Sequence, residues 1–201
     1  MRHWRQPVQL SIPEKMPRTG NGITRGIGRS ILRLIGWRVT GELPNISKVV
    51  ICGAPHTSNW DFISAMGVSL ALGIRFSYLM KKEAFFWPFK GLFMRLGGIP
   101  IDRKAAEDTV EQISSWYRNN ESVWLAITPE GTRKKVEKWK TGFLRIAHAA
   151  EVPVLIVSWH YPEKTMYIDR LWQPSGDHEK DAADIREYIN QHYQGANPNF
   201  Q

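Results

Sequence analysis

Val49-Val50-Ile51-Cys52-Gly53-Ala54-Pro55-His56-Thr57-Ser58-Asn59-Trp60-Asp61 passes from an unbroken apolar run into a turn carrying a histidine and, five residues on, a carboxylate. Four consecutive apolar residues ahead of a Gly/Pro turn read as a buried strand. Open α/β sheets bind ligands at the carboxyl edge of their strands, and this turn leaves such an edge. There His56 can take a proton from a hydroxyl near neutral pH. Asp61 on its other ring nitrogen fixes the tautomer and stabilises the imidazolium. The plainer alternative is an isolated histidine beside an aspartate that only caps the following helix.

The flanking segments alternate in the same way. Residues 1–22, broken by Pro7, Pro13 and Pro17, read as an extended arm, and residues 23–37 show helical periodicity. Ile23, Ile27, Ile31, Leu34 and Ile35 share one face, with Arg25, Arg29 and Arg33 opposite. A basic amphipathic helix of this kind suits a membrane interface. It equally suits packing of the Ile stripe on the domain, with the arginines in solvent. Further strands are expected at 76–80, 99–101, 122–127, 154–159 and 166–169. Helices are expected at 61–72, at 84–96 with a disturbance at Pro88, and at 105–118, 141–150 and 181–193. Residues 195–201 read as a frayed tail. This alternation argues a single α/β domain over residues 23–194, a mixed, largely parallel β-sheet flanked by helices.

Composition narrows the chemistry. At 201 residues, 42% apolar and 23% charged, the chain has ordinary globular make-up and can bury a substantial core. Its one cysteine, Cys52, excludes an internal disulfide framework and a multi-cysteine metal site, and reads as a small buried hydrophobe. No His-Glu-x-x-His motif occurs, and no metal is expected. A net charge of +8 points to anionic partners, and nine tryptophans hint at a membrane–water interface. Nucleic acid is disfavoured, because no helix-turn-helix, RNP or zinc motif is present. No stretch reaches the roughly 18 apolar residues of a spanning helix, and residues 1–22 show no secretory signal; a soluble or peripheral protein is expected.

Three more segments close expected strands: Gly97-Gly98-Ile99-Pro100-Ile101-Asp102-Arg103, Ile127-Thr128-Pro129-Glu130-Gly131-Thr132-Arg133, and Val152-Pro153-Val154-Leu155-Ile156. An arginine after a strand offers a rigid fork of donors for phosphate. The 129–133 turn adds main-chain N–H groups, a hydroxyl and a second guanidinium, with Gly131 permitting close approach of a ligand. Glu130 cannot hold a phosphate itself; it suits locking Arg133 or Arg103, or accepting from a substrate hydroxyl. The bland alternative is a surface turn with a weak local ion pair.

In this order, His56-x-x-x-x-Asp61, Gly98-x-x-Ile101-x-Arg103, Pro129-Glu130-Gly131-Thr132-Arg133 and Val152-Pro153-Val154 resemble the four blocks of the glycerolipid acyltransferase family, which includes lysophosphatidic acid acyltransferases and carries an HxxxxD motif. The likeness spans about residues 49–158, over half the chain. It departs at Pro55, where relatives often have Asn, and in the last block, which lacks the second proline of many relatives. The N-terminal spanning helix of many relatives is also not seen.

The resemblance implies a glycerol-3-phosphate acyltransferase-like fold. It also implies transfer of a fatty acyl group from acyl-CoA or acyl carrier protein to a hydroxyl of a lysophospholipid-like acceptor such as lysophosphatidic acid. The donor would be a substrate, with no bound cofactor and no acyl-enzyme. His56 would be the general base and Asp61 its orienting carboxylate. Arg103, Glu130, Gly131, Thr132 and Arg133 would form the acceptor-phosphate site. The aromatic run 85–94 suits an acyl groove or lipid, or else a core helix; the basic run 133–140 suits anionic lipid, CoA phosphates or an acidic carrier protein. A peripheral protein on the anionic, cytoplasmic face of a membrane follows as an expectation.

Two other readings stay open. The same pair can activate water in a thioester or lysolipid hydrolase, although no Gly-x-Ser-x-Gly elbow is present. A non-catalytic basic membrane-binding protein also fits the charge, but not the four ordered blocks.

Overall fold

The structure is a computed structural model that describes residues 8, 10–101 and 106–201. In chain order its elements are α1 (Gly22–Ile35), β1 (Arg38–Gly41), β2 (Lys48–Gly53), α2 (Asn59–Leu72), β3 (Ser77–Lys81), α3 (Lys90–Arg95), β4 (Gly98–Ile101), α4 (Ala106–Asn119), β5 (Val123–Ile127), α5 (Gly142–Ala149), β6 (Val154–His160), β7 (Thr165–Trp172) and α6 (His178–His192). The seven strands form one sheet in the order β1-β7-β6-β2-β5-β3-β4. Every neighbouring pair is parallel except β6 and β7. The exception follows from the connection: residues 161–164 are too few for a crossover, and only antiparallel strands can be joined so tightly.

The period-two alternation of side chains divides the core between the two faces of the sheet. On β2, Val50 and Cys52 face α4, α5 and α6, where Tyr117, Phe143 and Ile185 are buried. Val49 and Ile51 face the other way, toward Leu32 of α1 and Val68 and Leu72 of α2. β2 is therefore buried on both sides, which explains its unbroken apolar sequence.

The two helices on the second face approach unusually closely. A Cβ at Gly28 of α1 would collide with the main-chain nitrogen of Ala71 and stand 2.7 Å from the carbonyl oxygen of Gly67 on α2. This approach fixes how α1 is turned. Gly28 and Leu32 face the domain, Ile31 and Ile35 are half-buried, and Ile23, Ile27 and Leu34 remain exposed. The expected Ile stripe is thus split between the core and the surface. Among the described residues no helix is long and apolar enough to cross a membrane.

Several boundaries differ from expectation, for local reasons. β1 was not expected; it is a four-residue edge strand in which Val39 alone is buried, too short to show alternation. Residues 84–96 are not one helix: only Lys90–Arg95 is α-helical, and none of those residues is buried. β7 is twice the expected length and α6 starts three residues earlier, where the Asp177 side chain accepts from the N–H of Lys180.

Replacing Gly28 by Ala should force α1 and α2 apart and destabilise the protein by about 2 kcal/mol, the usual scale of overpacking. Urea unfolding checks this; an unchanged midpoint would contradict the close packing.

Candidate active site

The site lies where three neighbouring parallel strands end. β2 is flanked by β5 on one side and β6 on the other, so the segments that follow all three converge at one edge. His56 follows β2, Glu130 to Arg133 follow β5, and Tyr161 follows β6.

Asp61 is held by its own helix before anything distant touches it. Ser58 is the N-cap of α2, its side chain accepting from the N–H of Trp60. Asp61 closes the capping box by accepting from the N–H of Ser58 at 2.9 Å. The same Oδ2 accepts from the N–H of Thr57 at 2.9 Å and lies 3.0 Å from His56 Nδ1. Capping and orientation of the histidine are therefore one arrangement, not alternatives. A carboxylate only accepts, so Nδ1 carries the proton and Nε2 is left as the basic nitrogen. Asp61 is wholly buried, while the His56 side chain is 19% exposed.

Sequence reasoning missed three residues that complete this support. Tyr161 donates its hydroxyl to Asp61 Oδ1 at 2.5 Å. Trp159 Nε1 donates to Ser64 Oγ at 2.9 Å, and Ser64 donates to the carbonyl of Asp61 at 3.0 Å. The one available signal was indirect: residues at the end of a strand that pairs with β2 arrive beside whatever follows β2. Residues 195–201 also pack here, with the N–H of Asn197 donating to Thr57 Oγ1 at 3.1 Å.

Glu130 stands behind the histidine. It is 7% exposed, and its Oε1 accepts the main-chain N–H of His56 at 2.9 Å. Its Oε2 is buried with no hydrogen-bond partner, beside a small space lined by Pro55, Trp139 and Arg186. Burial pushes the carboxyl up to about 7, against the opposing effect of the His56 N–H.

In front of the dyad is a cavity of about 860 Å³. His56 and Asp61 line it together with Gly131, Thr132 and Arg133, so the structure brings these five expected residues to one space. Glu130 is not part of that lining. Arg103 lies outside the described residues. Away from the dyad the walls are apolar, with Phe62 and Met66 from α2, Phe93 from α3, and Leu155 and Met166 from the sheet. Thr132 and Arg133 are exposed at the mouth, and so are Lys134, Lys135, Lys138 and Lys140 behind them. Arg186 anchors this basic loop by donating to the carbonyls of Val136 and Glu137 at 2.9 and 2.6 Å.

A polar dyad in the wall of a largely apolar cavity suits chemistry on a hydroxyl beside a long hydrocarbon group. Residues 37–159 match the family model described as Acyltransferase, and the chain belongs to that family: it is an acyltransferase. Among solved structures the chain is similar to the 1-acyl-sn-glycerophosphate (LPA) acyltransferase PlsC from Thermotoga maritima. The TM-score is 0.55 at 18% sequence identity, covering 84% of this chain and 75% of that one, a likeness of fold. Comparison with curated proteins finds no match.

Because the Glu130 carboxyl moves from the ordinary 4.5 to about 7 on folding, the folded protein holds that proton more tightly than the unfolded chain. Its ionisation therefore subtracts stability as pH rises through this window, and the penalty is absent below it. Glu130→Gln should stabilise the protein by about 2 kcal/mol at pH 8, a gain that shrinks as pH falls from about 7 toward 4.5 and is absent below that. Denaturant unfolding of both proteins across pH is the check; a pH-independent difference would contradict a buried, ionising Glu130.

Proposed function

We propose that the protein transfers a fatty acyl group from acyl-CoA or an acyl carrier protein to a hydroxyl of a lysophospholipid-like acceptor, such as lysophosphatidic acid, within phospholipid biosynthesis. The observation that carries this reading is the His56–Asp61 dyad opening into the apolar cavity of about 860 Å³. His56 Nε2 removes the acceptor proton as the hydroxyl oxygen attacks the thioester carbonyl. The C–S bond breaks, the ester forms, and the departing thiolate takes the proton back from the imidazolium. No acyl-enzyme is formed, and the donor enters as a substrate, not as a bound cofactor. Asp61 keeps the imidazole in the productive tautomer.

Thr132 and Arg133, with the main chain at Gly131 and with Arg103, bind the acceptor phosphate. Arg133 supplies a rigid pair of donors. Glu130 contributes from behind, through the His56 N–H. The apolar walls exclude water, which would otherwise hydrolyse the thioester.

The acceptor is a membrane lipid, and the exposed apolar surface of the domain suits one. Ile23 and Leu34 of α1 are 74% and 87% exposed, and Trp87 ahead of α3 is 90% exposed. Ile63 of α2 is both exposed and part of the cavity lining. Such an apolar surface on a chain of net charge +8 fits peripheral contact with an anionic membrane, on its cytoplasmic face.

The deciding experiment gives purified protein labelled palmitoyl-CoA or palmitoyl carrier protein and a panel of lysophospholipids in mixed micelles. A labelled diacyl product is expected, lost by at least about 100-fold in His56→Ala. Acceptor-independent release of fatty acid would show a hydrolase instead. For the membrane contact, the pair Ile23→Ser and Leu34→Ser should weaken binding to phosphatidylglycerol vesicles by about tenfold or more, from lost apolar burial. Unchanged sedimentation with the vesicles would exclude α1 from the contact.

A further inference from the structure

Asp61 carries its charge in a fully buried position, where each carboxylate oxygen needs donors. Oδ2 has local ones, from Thr57, Ser58 and His56. Oδ1 receives the Tyr161 hydroxyl at 2.5 Å, from a residue 100 positions away and outside every motif block. Tyr161 is itself tightly placed. Its ring packs edge-on against Trp37 with centroids 4.9 Å apart, just beyond α1. Its N–H donates to the carbonyl of Gln194 at 2.9 Å, and its carbonyl accepts from the N–H of Lys164 at 3.0 Å. Trp37 and Gln194, from two separate parts of the chain, thus hold Tyr161 where its hydroxyl meets one carboxylate oxygen.

We propose that Tyr161 is a positioning residue for the transfer reaction: by donating to Asp61 Oδ1 it keeps Oδ2 turned to His56 Nδ1 and tempers how strongly the carboxylate draws the imidazole proton. The proposal rests on His56 acting as general base. A carboxylate whose negative charge is shared with a second donor is a weaker acceptor for the first, so Tyr161 and His56 compete for the charge of Asp61. Burial, with Asp61 alongside, pushes the phenol up, so it stays a donor at working pH. Among the described residues, the ionisable groups near the dyad include Glu130, which accepts the His56 N–H, and Arg133 and Tyr78, which line the same cavity. Cys52 lies buried beneath, near Glu130. Removing one oxygen from Tyr161 leaves these groups in place.

The test uses the whole purified chain with Tyr161→Phe and, separately, with 3-fluorotyrosine at position 161, whose hydroxyl is a stronger donor. Tyr161→Phe should lower kcat by about tenfold with KM for the donor changed less than about twofold. The acidic limb of its kcat–pH profile should move to higher pH by roughly 0.5 unit, because the carboxylate then favours the imidazolium more. Fluorotyrosine should move the limb the opposite way. In substrate-free protein the low-field proton resonance of the His56 Nδ1–H bridge should move further downfield in Tyr161→Phe. A kcat loss with the limb and the resonance both unmoved would overturn the proposal, since Tyr161 would then be packing alone. The resonance is read without turnover, so its shift supports the Tyr161–Asp61–His56 link even where wild-type protein makes no acyl product, the result that would refute the transferase reading itself.

Discussion

The carboxylate of Asp61 is the constraint around which the candidate site is built. A wholly buried charge is tolerated only when donors replace the water it has lost, and hydrogen bonds to a charged group are worth about 1.5–3 kcal/mol each. Here the donors are two main-chain N–H groups of its own turn, the His56 ring and the Tyr161 hydroxyl. Two of the four come from the geometry of a helix start, so α2 cannot begin one residue earlier or later without stranding the charge. The His56–Asp61 dyad is thereby tied to the most local and cooperative part of the fold, the strand–turn–helix unit of residues 48–72.

Sheet order supplies the rest. With β5 and β6 on either side of β2, each neighbouring strand delivers its following segment to the histidine. The result is a histidine between two buried carboxylates of opposite character. Asp61 is saturated with donors and oriented toward the ring. Glu130 accepts the His56 N–H on one oxygen, its other oxygen is left without a partner, and burial dominates its behaviour. One acid serves the side chain of His56 and the other its main chain, so the imidazole is fixed from both ends.

The helices divide the labour outside this edge. α4, α5 and α6 close one face of the sheet as ordinary core. α1 and α2 close the other, but Gly28 brings them so near that α1 keeps part of its apolar face outward. The aromatics around α3 are exposed as well, and Ile63 of α2 is both exposed and part of the lining of a cavity that is itself largely apolar. The chain therefore has apolar walls beside a polar dyad, an arrangement suited to a substrate that is part hydrocarbon and part charged headgroup.

Much of this was legible in the chain itself, because it depends on short-range pattern. Apolar runs separated by amphipathic stretches announced the α/β alternation, and the spacing from His56 to Asp61 is within one strand–turn–helix unit. The run at 129–133 and its place after a strand were equally visible. β1 was hidden by its four-residue length, and the aromatic run at 84–96 looked helical though only its second half is. The roles that remained invisible are all non-local. Glu130 finds the His56 N–H across 74 residues, Tyr161 finds Asp61 across 100, and Asn197 finds Thr57 across 140. Sequence by itself determined the dyad and the class of sheet, since both arise from residues that are neighbours along the chain. Only the tertiary structure decided what supports the dyad, because strand order brings those groups together and periodicity along one segment carries no record of which segment lies beside it.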